Sequence, residues 1–227
     1  GLCYSPEFIA LGSVVRDFLN PDFALIGEFD IKCGEMLQSI YLNIFENSAL
    51  VKRMSIENAE LTKIALNSFV TTKITFANML AEICEKIPDG DVDIVSDALG
   101  TDQRIGRKYL TGGFGYGGPC FPRDNIALGY IAKELGVDAS LSITTDDKNK
   151  SIPQRILELI CERKKNSVKT IGILGLAYKP FSHVIEESQG VMLAKLLSEK
   201  GFRVLGFDPL AKEIAQVELK DKVLVLT

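Results

Sequence analysis

The sequence predicts an α/β protein in which a helical segment lies between two parts that contain parallel sheets. Three observations support this prediction: a strand-like run, FALIGEF, precedes an amphipathic segment at 31–45; a helical stretch extends from Ser55 to about Ile87; and strand, helix and strand patterns follow one another from Val168. Strands that alternate with helices imply a parallel sheet, because parallel strands need a long crossover connection.

The composition is ordinary for a globular protein and excludes several classes. Of the 227 residues, 46% are hydrophobic and 25% are charged, and the net charge of −4 disfavours nucleic acids and anionic membranes as partners. No apolar run reaches the roughly 18 residues of a membrane helix, and the start has no signal-peptide pattern. The five cysteines form no C-x-x-C pair and there is one histidine, so we expect no disulfide framework, no metal site and a cytoplasmic location.

The pattern along the chain predicts four parts. Residues 1–54 are expected to be the tail of an α/β domain, 55–150 a central helical domain, 151–167 a linker or connecting helix, and 168–227 part of a second α/β domain. The polar segment 138–153 has no strong apolar period, so we predict a connection there. Because the chain opens without methionine and closes on the strand-like DKVLVLT, we expect it to be an excerpt of a longer protein.

The long helix is apolar on more than one side but carries one polar stripe. Glu60, Lys63, Asn67 and Thr71 are spaced three, four and four positions apart, which places them along one side of a helix. From the pattern alone, a solvated Glu60 and Lys63 pair is the commoner explanation, and a stripe that faces a ligand is the alternative. The remaining apolar surface predicts burial by the helix's own domain and by a second subunit.

Two glycine-containing segments are candidates for ligand binding. Gly172 and Gly175 end a predicted strand and Asp208 closes the next one, a layout typical of nucleotide sites, but the spacing does not form G-x-G-x-x-G and the indication is weak. Lys179 could reach a phosphate or lie solvated on the surface. The second segment, GGFGYGG at 112–118, would let backbone N–H groups approach a ligand closely, because no Cβ intervenes.

Cys120 directly follows the second glycine-rich segment. Pro119 and Pro122 limit its backbone conformation, and Asp124 lies four residues further on, one turn away if a helix begins there. A flexible loop followed by a fixed thiol suits covalent catalysis. The alternative is a buried, inert cysteine, which is the usual state of a free cysteine and the one we expect for the other four.

Several motifs together resemble the UDP-glucose/GDP-mannose dehydrogenase family. GFGYGGPCFPRD is similar to its active-site signature, SPEFIALGSVVRDFLNPDFALIGE to its Pro-Glu-Phe segment, NAELTKIALNSF to its long central helix, and GTDQRIGRKYL to its Asp-Gln-Arg-Ile-Gly element. GILGLAYKP and GFRVLGFDP resemble the opening of its nucleotide-sugar domain. The resemblance implies the tail of a Rossmann-like NAD domain, a helical dimerisation domain and the start of a second Rossmann-like domain.

The resemblance also implies a reaction, the NAD-dependent four-electron oxidation of a nucleotide-sugar C6 alcohol to a carboxylate. Cys120 would form a thiohemiacetal and then a thioester that water cleaves. Lys63 and Asn67 would stabilise the oxyanions, Asp124 would assist proton movement, and Glu7 would be the base for hydrolysis. The Cys-Phe-Pro-basic-Asp spelling favours UDP-glucose as the substrate.

Binding residues follow from the same resemblance. Arg123 would lie close to the cofactor, and in a dimer Arg104 would reach the substrate of the neighbouring subunit. Departures from the family pattern are Leu11 for a glutamate, Pro119 for a serine, Arg123 for a lysine, and Glu186 for an arginine directed at NAD. The residues implied to contact the nucleotide sugar are Phe8, Ile9, Leu11, Arg104, Tyr109, Thr111, Gly112, Gly113, Phe114, Gly115, Tyr116, Gly117, Tyr178 and Lys179.

Two other functions stay open on the sequence. A non-catalytic nucleotide-sugar-binding protein would keep the glycine-rich loop, but binding alone does not require Cys120 together with Lys63, Asn67 and Asp124. A cysteine-dependent thioester hydrolase or acyltransferase would use Cys120 without NAD and would need a different upstream domain. For each of these we expect no nucleic-acid or membrane partner, and for the dehydrogenase we expect a homodimer formed along the long helix.

Overall fold

The computed structural model describes residues 1–165 and 167–226. Asn166, in the predicted linker, and Thr227, in the final strand-like run, lie outside the described residues. The chain divides into two compact units, Gly1–Leu66 and Asn67–Thr227. In order, the elements are β1 (Cys3–Tyr4), α1 (Val14–Leu19), β2 (Phe23–Glu28), α2 (Ile31–Ile44), β3 (Leu50–Met54), α3 (Ile56–Cys84), α4 (Val92–Thr101), α5 (Phe121–Glu134), α6 (Ser140–Arg163), β4 (Thr170–Leu174), α7 (Gln189–Glu199), β5 (Arg203–Phe207), α8 (Lys212–Leu219), a 3₁₀ turn (Lys220–Lys222) and β6 (Val223–Leu226).

The first unit contains a small mixed sheet in the order β1-β2-β3. β2 and β3 run parallel and α2 connects them, while β1 pairs with β2 in the antiparallel sense. Leu25 and Ile26 of β2 are almost fully buried, and Asp30 caps α2 by accepting a 2.9 Å bond from the Cys33 N–H. The predicted strand and amphipathic helix are both confirmed, and the βαβ unit makes this part α/β as expected.

The long helix α3 begins where the sequence predicts and ends slightly early. Ser55 precedes it, and the Ser55 Oγ accepts a 3.4 Å bond from the Asn58 N–H. The last regular residue is Cys84, because the N–H groups of Lys86 and Ile87 bond to carbonyls three residues back and tighten the final turn before the predicted end. The boundary between the two compact units falls within α3, and the four predicted parts stay a prediction. Among the described residues, no helix is long and apolar enough to cross a bilayer.

The prediction of a connection at 138–153 was wrong, because Ser140–Arg163 form one continuous helix, α6. Its first turns bury polar residues, Ser142, Thr145, Asp146 and Asn149, at the three and four residue spacing of a helix face. The residues on the buried face therefore repeat at helical spacing, but they are polar rather than apolar. Further along, Leu157 packs into the core of the second sheet, so α6 anchors both the loop region and that sheet.

The second sheet confirms the parallel arrangement predicted from residue 168 onwards. Its order is β4-β5-β6, all parallel, with Ile171 opposite Val204 and Val204 opposite Val223. α7 covers one face and buries its apolar side chains there. The core consists of Leu157, Ile173, Leu176, Val191, Leu193, Ala194, Leu197, Val204, Ala215, Leu219, Val223 and Val225.

Asp208, at the end of β5, holds the neighbouring turns together. One carboxylate oxygen accepts bonds from the N–H groups of Leu176 and Ala177, both 2.8 Å, and the other accepts from Leu210 and Ala211 at 2.9 and 2.8 Å. The sequence suggested this aspartate as part of a nucleotide site, but it is buried and committed to the backbone. Burial raises the pKa of Asp208, the four N–H donors lower it by more, and the net pKa lies below its usual value.

Asp208→Asn is expected to lower the free energy of unfolding at pH 7 by about 2–4 kcal/mol, because the amide offers one acceptor oxygen instead of two. Since the folded pKa is below the unfolded value of about 3.9, the carboxylate stabilises above that value, and the contribution is lost as the pH falls through the folded pKa. Urea unfolding measured from pH 7 to pH 3 should therefore show the difference shrinking below about pH 4. The control is Asp221→Asn at an exposed aspartate; equal losses for the two variants would contradict the role of Asp208.

Candidate active site

Cys120 lies exposed at the N-terminal end of α5. It occupies the cap position, Pro122 follows in the first turn, and the Asp124 N–H bonds to the Cys120 carbonyl at 2.8 Å. Proline is favoured in a first helical turn because its fixed φ suits the helix and its missing N–H is not needed there. The backbone of Cys120 is therefore held while its thiol is accessible. Of the other cysteines only Cys84 is buried, so the expectation that all four are buried was wrong: Cys3, Cys33 and Cys161 are half-buried.

Asp124 and Asn67 form a buried pair beside the thiol. The Asn67 amide donates to the Asp124 carboxylate at 2.6 Å, and both side chains are buried, one on α3 and the other on α5. Arg123 is exposed, with its Nε 3.7 Å from the Asp124 carboxylate and its Nη2 4.0 Å from the Cys120 sulfur. The second unit thus brings a thiol, a carboxylate, an amide donor and a guanidinium to one end of α5.

The glycines of the loop are required mainly for packing against the protein itself. A Cβ at Gly115 would lie 2.1 Å from the Asn149 Oδ1 on α6, and one at Gly117 would lie 2.3 Å from the Glu187 carbonyl oxygen. Both distances are far shorter than van der Waals contact. At Gly113, by contrast, nothing lies within 4 Å of such a Cβ, and the residue is exposed. The expected close approach of a ligand therefore applies to the outer part of the loop, while Gly115 and Gly117 serve close approach within the protein.

Two buried asparagines fix the backbone of this loop. The Asn78 side chain accepts from the Gly113 N–H at 2.8 Å and donates to the Phe114 carbonyl at 3.4 Å. The Asn149 side chain accepts from the Tyr116 N–H at 2.8 Å and donates to the Tyr116 carbonyl at 2.9 Å. The loop is therefore preorganised. Sequence reasoning missed both asparagines, and the only available signal was their place among polar residues at helical spacing.

Tyr116 and Phe114, which the resemblance implies contact the nucleotide sugar, differ in exposure. The Phe114 ring is 52% exposed, whereas Tyr116 is 5% exposed. The Tyr116 hydroxyl accepts from the Asn125 amide at 2.9 Å and donates to the Asp146 carboxylate at 3.3 Å. Burial and the Asp146 charge raise the pKa of Tyr116. Packing of the Tyr116 ring on a ligand is thus contradicted, because the ring is enclosed by the protein.

The residues that precede the loop lie mostly on the surface. Arg104 is exposed and pairs with Asp102 at 2.6 Å. Tyr109 is exposed with a positive φ of 67°, and its ring makes an edge contact with Phe121. Thr111 accepts a 3.1 Å bond from Arg107. At Gly112, an added Cβ would lie 2.9 Å from the Ala81 Cβ on α3. These residues border the loop, and their predicted contact with a nucleotide sugar stays a prediction.

Tyr178 lies close to Gly118 and Cys120. Its ring would meet a Cβ at Gly118 at 2.5 Å, and burial together with the nearby Cys120 raises the pKa of the Tyr178 hydroxyl. The Lys179 Nζ is 5.6 Å from the Tyr178 ring centroid. Tyr178 therefore lies near Cys120 within the second unit, and its contact with a nucleotide sugar stays a prediction.

The first unit assembles its own group of predicted residues. The Lys63 ammonium donates a 2.7 Å bond to the Glu7 carbonyl and lies 4.5 Å above the Phe8 ring. The Glu7 side chain is exposed, and Glu7, Phe8 and Ile9 line a small pocket, whereas Leu11 is 43% exposed. Lys63 is half-buried against the Pro-Glu-Phe segment while Glu60 is exposed, and the interpretation of the stripe as facing a ligand stays a prediction.

The fold and the thiol site define a class. An α/β tail, a long helix that carries Lys63 and Asn67, a glycine-rich loop that leads to a cysteine at a helix start, and a parallel sheet are together the fold of the nucleotide-sugar dehydrogenases. Residues 57–151 match the central domain of the UDP-glucose/GDP-mannose dehydrogenase family.

Known UDP-glucose dehydrogenases are similar to this chain over nearly its whole length. A UDP-glucose 6-dehydrogenase of Rickettsia felis is 35% identical over 223 residues, which cover 97% of this chain and 50% of that protein. The enzyme AglM of Haloferax volcanii, also a UDP-glucose 6-dehydrogenase, is 36% identical over 93% of this chain and 50% of its own length. The structure of a UDP-glucose dehydrogenase from Pyrobaculum islandicum superposes with a TM-score of 0.92 at 36% identity, covering 99% of this chain and 51% of that one. The chain thus spans about half the length of the curated relatives it matches.

Proposed function

We propose that this chain supplies the catalytic thiol and the sugar-binding loop of an NAD-dependent nucleotide-sugar dehydrogenase. The reaction is the oxidation of the C6 alcohol of a UDP-sugar, with UDP-glucose favoured, to the uronate. The observation that carries the proposal is the exposed Cys120 at the head of α5, one turn from the buried Asp124 and Asn67 pair. A protein that only binds the sugar has no use for this arrangement.

The chemistry of this site follows from a thiol held beside an amide and a carboxylate. The Cys120 sulfur adds to the C6 aldehyde, and the resulting thiohemiacetal loses a hydride and a proton to become a thioester. Water then attacks the thioester carbon, the C–S bond breaks, and the sulfur takes up a proton as the uronate leaves. Asn67 donates to the oxyanion, and Asp124 accepts and returns protons one turn from the sulfur.

Lys63 and Glu7 complete the proposed residue set. α3 carries Lys63 one helical turn before Asn67. The Lys63 bond to the Glu7 carbonyl holds the segment that bears the Glu7 carboxylate. We assign to Lys63 the stabilisation of negative charge on oxygen, and to Glu7 the role of base for the water that cleaves the thioester.

The described residues fit a dinucleotide at one place and not at another. The turn after β4 does not fit a pyrophosphate, because the N–H groups of Leu176 and Ala177 already bind Asp208. Arg123 does fit, since its guanidinium is exposed beside Cys120 and can pair with a phosphate. NAD⁺, when bound, supplies the acceptor for the two hydrides. Glu186 occupies the position where family members have an arginine directed at NAD. We therefore expect Arg123, rather than residue 186, to contact NAD⁺.

The nucleotide sugar is expected to bind across the exposed part of the loop. Phe114 and Tyr109 present about half of their surface there, and Gly113 leaves its backbone open. Tyr178 and Lys179 offer a hydroxyl and a positive charge on the Cys120 side of the loop, which suits a phosphate or uridine. Arg104, exposed and distinct from this group, is proposed to serve the substrate of a neighbouring subunit.

NADH production by the complete gene product, measured with a panel of UDP- and GDP-sugars, tests the proposed function. UDP-glucose should give the highest kcat/KM. Binding of UDP-glucose with no NADH from any sugar would favour the non-catalytic binding protein. Hydrolysis of acyl thioesters that needs Cys120 but no NAD⁺ would favour the thioester hydrolase or acyltransferase.

Five free thiols also support a location in the reducing cytoplasm.

We propose further that two copies pair along α3. Phe69, Phe76, Met79 and Ile83 are 40–68% exposed and spaced seven, three and four apart, so they form one apolar stripe. Phe76→Glu is expected to convert a dimer into a monomer in light scattering, because a carboxylate would be buried unpaired in the interface. A dimer that persists at the same concentration would contradict this surface as the interface.

A further inference from the structure

We propose that the Tyr116 hydroxyl is a positioning group that ties the glycine-rich loop to the first turn of α5, and thereby holds Asp124 and Cys120 in place. This inference rests on the proposed function, since it concerns how the catalytic groups of that site are held. It assigns Tyr116 a role different from the substrate contact that its place in the loop implies.

The first step of the argument is that the Tyr116 main chain is fixed at both of its polar groups. Asn149 binds the N–H and the carbonyl at 2.8 and 2.9 Å, and Gln189 donates to the same carbonyl at 3.4 Å. The Asn149 and Gln189 side chains are 3% and 5% exposed, so water does not compete for these bonds. Tyr116 is thus a fixed point of the loop, anchored to α6 and α7.

The second step is that the phenol reaches from this fixed point to α5. Its oxygen is 2.9 Å from the Asn125 amide nitrogen, and that amide also bonds the Thr71 hydroxyl on α3 at 2.9 Å. Asn125 is 2% exposed and Thr71 is 0% exposed. Asn125 is the immediate neighbour of Asp124, so the Tyr116 hydroxyl acts one residue away from the proposed proton carrier.

The third step is that the Tyr116 hydroxyl donates one hydrogen bond and accepts another. The hydroxyl proton is donated to Asp146 at 3.3 Å, and the same carboxylate pairs with Lys150 at 2.6 Å. The phenol oxygen is then free to accept from Asn125. A continuous chain of bonds therefore runs from Lys150 on α6 through Asp146, Tyr116 and Asn125 to Thr71 on α3. Loss of the hydroxyl interrupts this chain at its centre and leaves the ring packing unchanged.

Tyr116→Phe in the complete gene product tests the proposal. We expect kcat for nucleotide-sugar oxidation to fall about 10-fold while KM stays within about twofold, because catalytic groups are displaced but the loop backbone remains bound to Asn149. Amide hydrogen exchange in the first turn of α5 should become at least about fivefold faster, with the rate in β5 unchanged. Exchange does not depend on turnover, so it tests the positioning role even if no nucleotide sugar proves to be a substrate.

Tyr130→Phe is the matched control, since Tyr130 lies on the same helix with its side chain 64% exposed, and we expect it to leave kcat, KM and exchange unchanged. Asn125→Ala removes the same bond from its other end and should reproduce the lower kcat. If the two residues act through one bond, the double variant should be no slower than the slower single variant.

The positioning role would be overturned by any of three results. A wild-type kcat for Tyr116→Phe would show that the hydroxyl positions nothing. A higher KM with unchanged kcat would instead indicate that Tyr116 contacts the substrate. Unchanged hydrogen exchange in α5 would show that the bond to Asn125 does not hold the helix start. Failure of the wild-type protein to oxidise any nucleotide sugar would overturn the proposed function, and the exchange measurement would then decide the positioning role alone.

Discussion

Replacing Cys120 by serine is expected to lower kcat for the oxidation of the nucleotide sugar by at least about 10³-fold, which is the largest effect we predict for a single change. A serine hydroxyl at this position is a much weaker nucleophile than a thiol, because far less of it is ionised at pH 7. Because Cys120 is exposed, the substitution should leave the unfolding temperature almost unchanged. The measurement is steady-state NADH formation with purified protein.

Cys33→Ser provides the control for this prediction. The Cys33 sulfur donates to the Asp30 carboxylate at 3.0 Å, and a serine hydroxyl can make the same bond, so activity should be retained. If Cys120→Ser formed uronate at the wild-type rate, covalent catalysis by this residue would be excluded.

Asp124→Asn is expected to reduce kcat by about 10²-fold, the second largest effect. The asparagine keeps the size of the side chain, and its carbonyl oxygen can still accept the bond from Asn67, so the buried pair survives and the protein should remain folded. The amide cannot take up or release a proton, and proton transfer next to Cys120 is lost. Steady-state kinetics and a thermal unfolding curve for the same preparation separate these two effects.

The matched control is Asp147→Asn, which removes a carboxylate from an exposed position of α6. It should leave kcat unchanged. A kcat for Asp124→Asn within about threefold of wild type would mean that Asp124 serves only to bind Asn67 and hold α5 on α3.

The elements with a clear periodic pattern were predictable from the sequence. The strand-like run at 23–29, the long apolar stretch after Ser55, and the strands on either side of α7 each report a local preference that the tertiary structure reinforces. The sequence also indicated a fixed backbone at Cys120, because Pro119 and Pro122 flank it, and the structure places this residue exposed at the start of α5. Its role as a nucleophile stays a prediction.

The parts that could not be predicted depend on contacts between residues distant in sequence. α6 was missed because the residues on its buried face are polar. Burial of Asn149 is favourable because its side chain binds the Tyr116 backbone, 33 positions away. The glycines pointed to a ligand, although Gly115 is required by that same asparagine. Asp208 indicated a nucleotide site until its four N–H partners were known. At Gly115 and Asp208, a feature that suggested ligand binding is explained by contacts within the protein.

The most direct test of the account is the amount of NADH formed from a limiting amount of UDP-glucose by the complete gene product. Retention of the sugar on the Cys120 sulfur between the two oxidations predicts two NADH for each uronate, with no free aldehyde. One NADH for each sugar, with the aldehyde released as the product, would contradict the proposed role of Cys120.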